Sequence, residues 1–180
     1  MAVAVPIAVE AMRLSDIPAV HEIERLSFTT PWPAYAFEQE LTANRLARYV
    51  VARAGAAVVG FGGVWLMVDE AHVTTIGVHP DWRRQGIGRR LLVALIDLAE
   101  MLRASRVTLE VRAGNLEAQA LYQELGFSVA GRRPNYYTDD GEDALVMTTP
   151  ALHSPVMRRA VTRARARFDR ADAGDLEDAG

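Results

Sequence analysis

The stretch GVHPDWRRQGIGRRLL, residues 77–92, sets two glycines, Gly86 and Gly88, one residue apart at the front of an amphipathic helical pattern. A glycine turn that feeds a helix points the helix's free N–H groups into the gap ahead of it. That end carries about half a positive charge from the macrodipole and readily accepts a phosphate. Glycine is required there if a side chain would hold phosphate oxygens off the backbone, or if φ must be positive. Arg83, Arg84 and Arg89 add positive charge around the same turn.

Three phosphate-binding patterns compete for this stretch. A P-loop needs Lys-Ser/Thr after its last glycine, and Gly88 is followed by Arg89 and Arg90. The dinucleotide fingerprint needs a third small residue where Leu91 stands. What remains is R-x-x-G-x-G, met by Arg83, Gly86 and Gly88, with Gln85 and Ile87 between them. Taken alone, that pattern reads equally well as a glycine helix start with a solvated basic face.

The rest of the chain bounds the choice. Its 180 residues suit one domain with a real core, and with half of them hydrophobic, general disorder is excluded. A formal net charge of −3 gives no reason to expect strong nucleic-acid binding. The absence of cysteine excludes disulfides, thiolate metal sites and a cysteine nucleophile. Four scattered histidines with no ligand pair give no metal site. No stretch approaches the roughly 20 apolar residues of a membrane span. The start, MAVAVPIAVEAMR, lacks the basic region of a signal peptide, so a cytoplasmic protein is expected, with a monomer as the default.

Working outward, IAVEAM (7–12) reads as a strand, and Ser15 as the cap of a helix carrying Ile17, Val20, Ile23 and Leu26. TTPWP (29–33) is a loop before a helix over 34–44. Strands follow over 49–54, 57–68 and 73–79, the first two joined by a hairpin turn. Leu91, Leu92, Leu95, Ile96, Ala99 and Leu102 mark one helix face. RVTLEV (106–111) is a strand, and 115–126 a helix between Asn115 as N-cap and Gly126 as C-cap. Strands over 127–131 and 143–148 complete an α/β layered domain with a mixed sheet. Residues 151–180, basic first and acidic last, read as a flexible charged tail. Its run of Arg158, Arg159, Arg163, Arg165 and Arg167 offers a surface to RNA phosphates.

Three blocks, TTIGVHPDWRRQGIG (74–88), LEVRAGNLEAQALYQELGF (109–127) and RPNYYTDDGEDALVM (133–147), carry a resemblance. Over residues 7 to about 149 the chain resembles the GNAT superfamily of N-acetyltransferases, and within it the ribosomal-protein-alanine branch. Archaeal N-terminal acetyltransferases share much of the last two blocks. The resemblance implies a GNAT fold over residues 1–150, a mixed sheet flanked by helices. It also implies acetyl-coenzyme A as co-substrate without a metal, and direct transfer to the N-terminal alanine of ribosomal protein S18. A broader protein N-terminal acetyltransferase and a non-catalytic acyl-coenzyme A-binding module are the alternatives.

Carried over by position, the resemblance implies that Arg83, Arg84, Gln85, Gly86, Ile87, Gly88 and Arg89 seat the diphosphate. Ile76, Gly77 and Val78 would line the cofactor arm, where a bulge would free a backbone N–H, and Asn115 would touch the coenzyme. Glu110 would accept the proton, directly or through water, and Tyr122 would donate one to the leaving thiolate. Trp32, Tyr136 and Tyr137 would flank the peptide entrance. From the residues alone, Glu110 reads equally as a solvated carboxylate beside Arg112, and Tyr122 as a ring in the core. Gly77 and its neighbours read as ordinary strand packing, and the loop aromatics as anchors. His72 and His79 read as surface or edge histidines, and Glu24 as a solvent-facing helix residue.

Overall fold

Strands β1 (Ile7–Ala11), β2 (Ala47–Ala54), β3 (Ala57–Met67), β4 (Glu70–Val78), β5 (Arg106–Arg112), β6 (Ser128–Arg133) and β7 (Ala144–Thr148) share one sheet. Their order is β1-β2-β3-β4-β5-β7-β6. Every neighbouring pair is antiparallel except β4 and β5. The helices are α1 (Ile17–Ser27), α2 (Ala34–Thr42), α3 (Ile87–Met101), α4 (Leu116–Glu124) and α5 (Pro155–Glu177). This is a computed structural model and it describes residues 5–177. Through β7 the element order is the one the sequence predicts, a mixed α/β sheet.

Period-two alternation on the strands sorts the core onto two faces. On β2, Val50, Ala52 and Ala54 face the cluster built on α3, while Ala47, Tyr49 and Val51 face α1 and α2. From α3, Ile87, Leu91, Leu92, Leu95, Ile96 and Ala99 are all buried. Each of the buried Ile and Leu side chains contributes about 1.5–3 kcal/mol of transfer free energy. At Gly60 of β3 an added Cβ would lie 3.0 Å from Leu91 and 3.1 Å from Ile87. The first turns of α3 therefore rest directly on strand backbone, which fixes the height of the helix start.

The ladder between β4 and β5 is short. It pairs Glu70 with Arg106, Ala71 with Val107 and His72 with Thr108, and then stops. Beyond His72, β4 continues beside β3, while β5 continues beside β7. The register on β3 shows why. Gly63 pairs with Thr75 but Val64 with Val73, so Thr74 is an extra residue, a β-bulge. A bulge bends its strand and increases the local twist. The bulge expected near Ile76–Val78 thus lies two residues upstream of Ile76. It leaves the edge of β4 that faces β5 without a sheet partner from Val73 onward.

Two expectations are corrected. Ser15 does not cap α1. Asp16 closes that end, its carboxylate accepting from the Arg13 N–H at 2.9 Å and gripping the Arg53 guanidinium at 2.7 Å through both oxygens. The flexible tail is instead α5 over 155–177. Met157, Ala160 and Ala164 are buried, with Val161 and Phe168 packed on the α3 cluster. That stripe at helical spacing was hidden by surrounding charge and by its reliance on alanine. Arg165 pairs with Asp97 at 2.5 Å, Arg167 with Glu124 at 3.2 Å, and Asp172 with Arg90 at 2.5 Å. The leader reading rests partly on residues 1–4 and the tail reading includes 178–180; both stretches lie outside the described residues. Among the described residues no helix is long and apolar enough to cross a membrane.

Met157 is 1% exposed and lies against the backbone at Gly126, where an added Cβ would sit 2.6 Å from its sulfur. Met157→Ala is expected to lower unfolding stability by about 2–5 kcal/mol in urea titrations. Exposed Arg158→Ala is expected to stay within about 0.5 kcal/mol. A flexible tail would make both silent.

Candidate active site

After β4 a short 3-10 turn, Pro80–Trp82, leads into the glycine turn. His79 caps it, its Nδ1 accepting from the Asp81 N–H at 3.2 Å, so this histidine has a structural job. Arg84 and Gly86 both take left-handed backbone, at φ 64° and 75°. Gly86 is the N-cap of α3 and supplies no side chain to the helix's first N–H groups. At Gly88 an added Cβ would meet only Leu121, at 3.6 Å, an ordinary contact. The fold does not need glycine there; a ligand pressed against the backbone would.

A cleft of about 800 Å³ opens beside this turn, lined by Arg83, Arg84, Gly86, Ile87, Gly88 and Arg89. Val78 and Asn115 line it too, whereas Gln85 is exposed and does not. Arg83 donates to the Val78 carbonyl and to Ser27 Oγ, both at 3.2 Å, tying the turn to α1. Arg84 pairs with Glu117, and Arg89 with Glu124 at 2.9 Å. Exposed pairs of this kind exchange partners readily. An uncapped helix start, neighbouring guanidiniums and free space over Gly88 fit a diphosphate. The unpaired edge of β4 fits an arm rich in amides, because its backbone groups still need partners.

Asn115 joins this cleft to a second cavity of about 460 Å³ in the gap between β4 and β5. As expected, Asn115 also caps α4, accepting from the Ala118 N–H at 3.1 Å. Ile76 lines the inner cavity. Gly77 lines neither space, and an added Cβ there would strike the Phe61 ring at 2.7 Å, so packing accounts for this glycine.

Glu110 and Tyr122 both face the inner cavity. Glu110 Oε2 accepts from His72 Nε2 at 2.5 Å, and Arg133 stands 3.4 Å from Oε1. The His72 hydrogen bond holds the Glu110 carboxyl below the ordinary carboxylate range, outweighing the opposing effect of burial. Tyr122 moves the other way: burial pushes its phenol up to about 12, so it stays protonated at neutral pH. Its helix ends in a Schellman closure, Phe127 N–H to the Tyr122 carbonyl and Gly126 N–H to that of Gln123, which fixes the turn carrying the ring.

Two loops close over the inner cavity. Thr29 Oγ1 donates to Asp139 at 2.8 Å, linking the α1–α2 loop to the β6–β7 loop. Arg112 secures the second loop from β5, pairing with Asp139 at 2.8 Å and stacking 3.9 Å over the Tyr137 ring. Tyr136 meets Tyr137 edge-on at 5.2 Å, and both line the cavity with Trp32. The aromatics expected at an entrance are therefore brought together with Glu110 and Tyr122.

At Glu24, which lines this cavity, and at His72, which bonds to Glu110 in its wall, the structure departs from the sequence reading. His72 is no idle edge residue but the partner of Glu110. Ala71 and Val73 are buried on one face of β4, which sends His72 to the other, but its register with β5 was not visible. Glu24 does not face solvent: it is 5% exposed and lines the cavity. Here a signal was present, because Val20, Ile23 and Glu24 fall at i, i+3 and i+4 on one face. Burial raises the Glu24 carboxyl, against a lowering by the Trp32 N–H.

A model of the acetyltransferase (GNAT) family matches residues 17–127. The chain belongs to that family. It is 44% identical over 140 residues to a putative ribosomal protein bS18-alanine N-acetyltransferase of Bacillus subtilis, covering 78% of this chain and 93% of the relative. The solved ribosomal-protein-S18-alanine N-acetyltransferase of Escherichia coli superposes with a TM-score of 0.74 at 35% identity, covering 81% of this chain and 94% of that one. Ard1 from Thermoplasma volcanium also superposes with a TM-score of 0.74, at 27% identity, covering 83% and 100%.

The enzyme is therefore an acetyl-coenzyme A-dependent N-acetyltransferase of the GNAT family, and its cavity offers an ionised carboxylate and a neutral phenol in one space. His72→Gln is expected to move the Glu110 titration, followed by carboxyl NMR, to higher pH than in the wild type, where the His72 hydrogen bond depresses it. Because the folded value is depressed, the stability this contact supplies is present above the unfolded value. It is lost as pH falls through the folded one. Unchanged titration in the variant would remove His72 as the cause.

Proposed function

We propose that the enzyme acetylates protein N-terminal α-amines by direct transfer, with the N-terminal alanine of ribosomal protein S18 as its acceptor. The observation that carries this is the cavity that Glu110 and Tyr122 both line, joined through Asn115 to a cleft suited to a diphosphate. The acceptor is the one for which the B. subtilis and E. coli relatives are named. Residues 1–150 carry the machinery and α5 buttresses it. Action on a ribosomal protein implies work in the cytoplasm, and a single chain suffices for the site.

Acetyl-coenzyme A brings the activated acyl group. The turn residues Arg83, Arg84, Gly86, Ile87, Gly88 and Arg89 hold its diphosphate, and the open edge of β4 receives the arm beside Ile76 and Val78. An α-amine has a pKa near about 8, so roughly a tenth is already neutral at pH 7 and a modest base suffices. Glu110, held ionised by His72, takes the amine proton directly or through one water. Free N–H groups of the β4 edge stabilise the oxyanion. Tyr122 gives its proton to the departing thiolate. Trp32, Tyr136 and Tyr137 border the path of the incoming peptide. A module that only bound the coenzyme would have no use for Glu110 and Tyr122 in one cavity.

Mass spectrometry of an S18-derived peptide beginning with alanine is expected to show acetylation at the N-terminal amine alone. Glu110→Gln and Tyr122→Phe are each expected to lower kcat by about 10²–10⁴-fold while calorimetric binding of acetyl-coenzyme A is kept. Broad acceptance of unrelated N-termini would widen the acceptor assignment, and bound coenzyme without product would overturn the catalytic reading.

A further inference from the structure

The cavity holds a second carboxylate that this chemistry does not use. Glu24 Oε1 accepts the backbone N–H of Trp32 at 3.1 Å, which fixes the start of the α1–α2 loop's PWP segment. Oε2 is buried with no hydrogen-bond partner, and no cation pairs with Glu24 among the described residues. A buried carboxylate oxygen left alone is costly, and nearly every buried polar atom in a folded protein is paired. An amide at this position would hold Trp32 equally well, without a charge. The unpartnered Oε2 therefore leaves room in the wall for a donor that arrives from outside.

The cavity Glu24 lines is the one the acceptor must enter. An N-terminal amine enters largely as an ammonium, with three N–H donors and a positive charge. We propose that Glu24 anchors the acceptor: its free Oε2 accepts a hydrogen bond from the N-terminal amine, while Oε1 keeps the Trp32 loop in place. Two carboxylates then divide the work. Glu110 removes the proton, and Glu24 holds the nitrogen without any bond being made or broken. The contact explains why a costly oxygen is kept in the wall, and it makes the amine itself a determinant of binding. It rests on the N-terminal acetyltransferase reading of this site.

The test compares Glu24→Gln with Glu24→Ala. Glutamine keeps an oxygen for the Trp32 N–H but turns an NH₂ donor, or an uncharged acceptor, toward the amine. Expected for Glu24→Gln are a KM for the alanine peptide raised about tenfold, acetyl-coenzyme A binding unchanged, and a melting temperature no lower than wild type. A purely structural role predicts the reverse, a silent glutamine and a damaged alanine variant. A second readout does not depend on turnover. With coenzyme A bound, the wild type should bind the alanine peptide about tenfold tighter than its deamino analogue, and Glu24→Gln should lose that preference. A wild type that acetylates normally beside an unimpaired Glu24→Gln would overturn the anchoring role alone. A wild type inactive on N-termini would overturn the acceptor reading, and equal binding of the two peptides to the wild type would overturn the anchor whatever the turnover.

Discussion

The structure depends on a ladder that stops early. β4 and β5 share three residue pairs and part after His72 and Thr108 because Thr74 is an extra residue that bends β4 toward β3. Backbone groups along the open edge must find partners, and within the sheet there are none. The connection that makes parallel strands possible, α3, begins at the mouth of the gap because β4 feeds it. α4 begins beside the gap because β5 feeds it. One register shift thus sets a phosphate-attracting helix start, a capping asparagine and two strand edges around a single space.

The electrostatics of the inner cavity follow from which groups the parted strands bring together. Glu110 is partly buried, which alone would make it a weaker acid, but the His72 ring at 2.5 Å reverses the direction. Tyr122 has burial without such a partner and stays neutral far above physiological pH. The two shifts diverge, so each group holds the protonation state its proposed role needs. Glu24 shows the third case, burial with one hydrogen bond where two are wanted.

Much of this was legible in the chain. The element order, the glycine turn and the Asn115 cap follow from period, punctuation and short-range capping chemistry, which act within a few residues. The blocks around Glu110, Tyr122 and Tyr136 gave the family and hence their neighbourhood. What was not legible depends on register and on packing between distant elements. The pairing of His72 with Thr108 decides that a histidine meets Glu110, and no local pattern encodes it. The place of Glu24 on the Val20–Ile23 face is legible in the helical period, although its charge points the other way. The stripe Met157, Ala160 and Ala164 is masked in the same way by the arginines around it.

Arg84 holds a left-handed backbone that a side chain with a Cβ occupies at a cost of about 1–2 kcal/mol. Its guanidinium leans over the cleft on an exposed pair with Glu117 that contributes little in return. Glycine there would relax the chain and discard the cation. Thermal endurance and the proposed grip on a diphosphate therefore pull this one position in opposite directions.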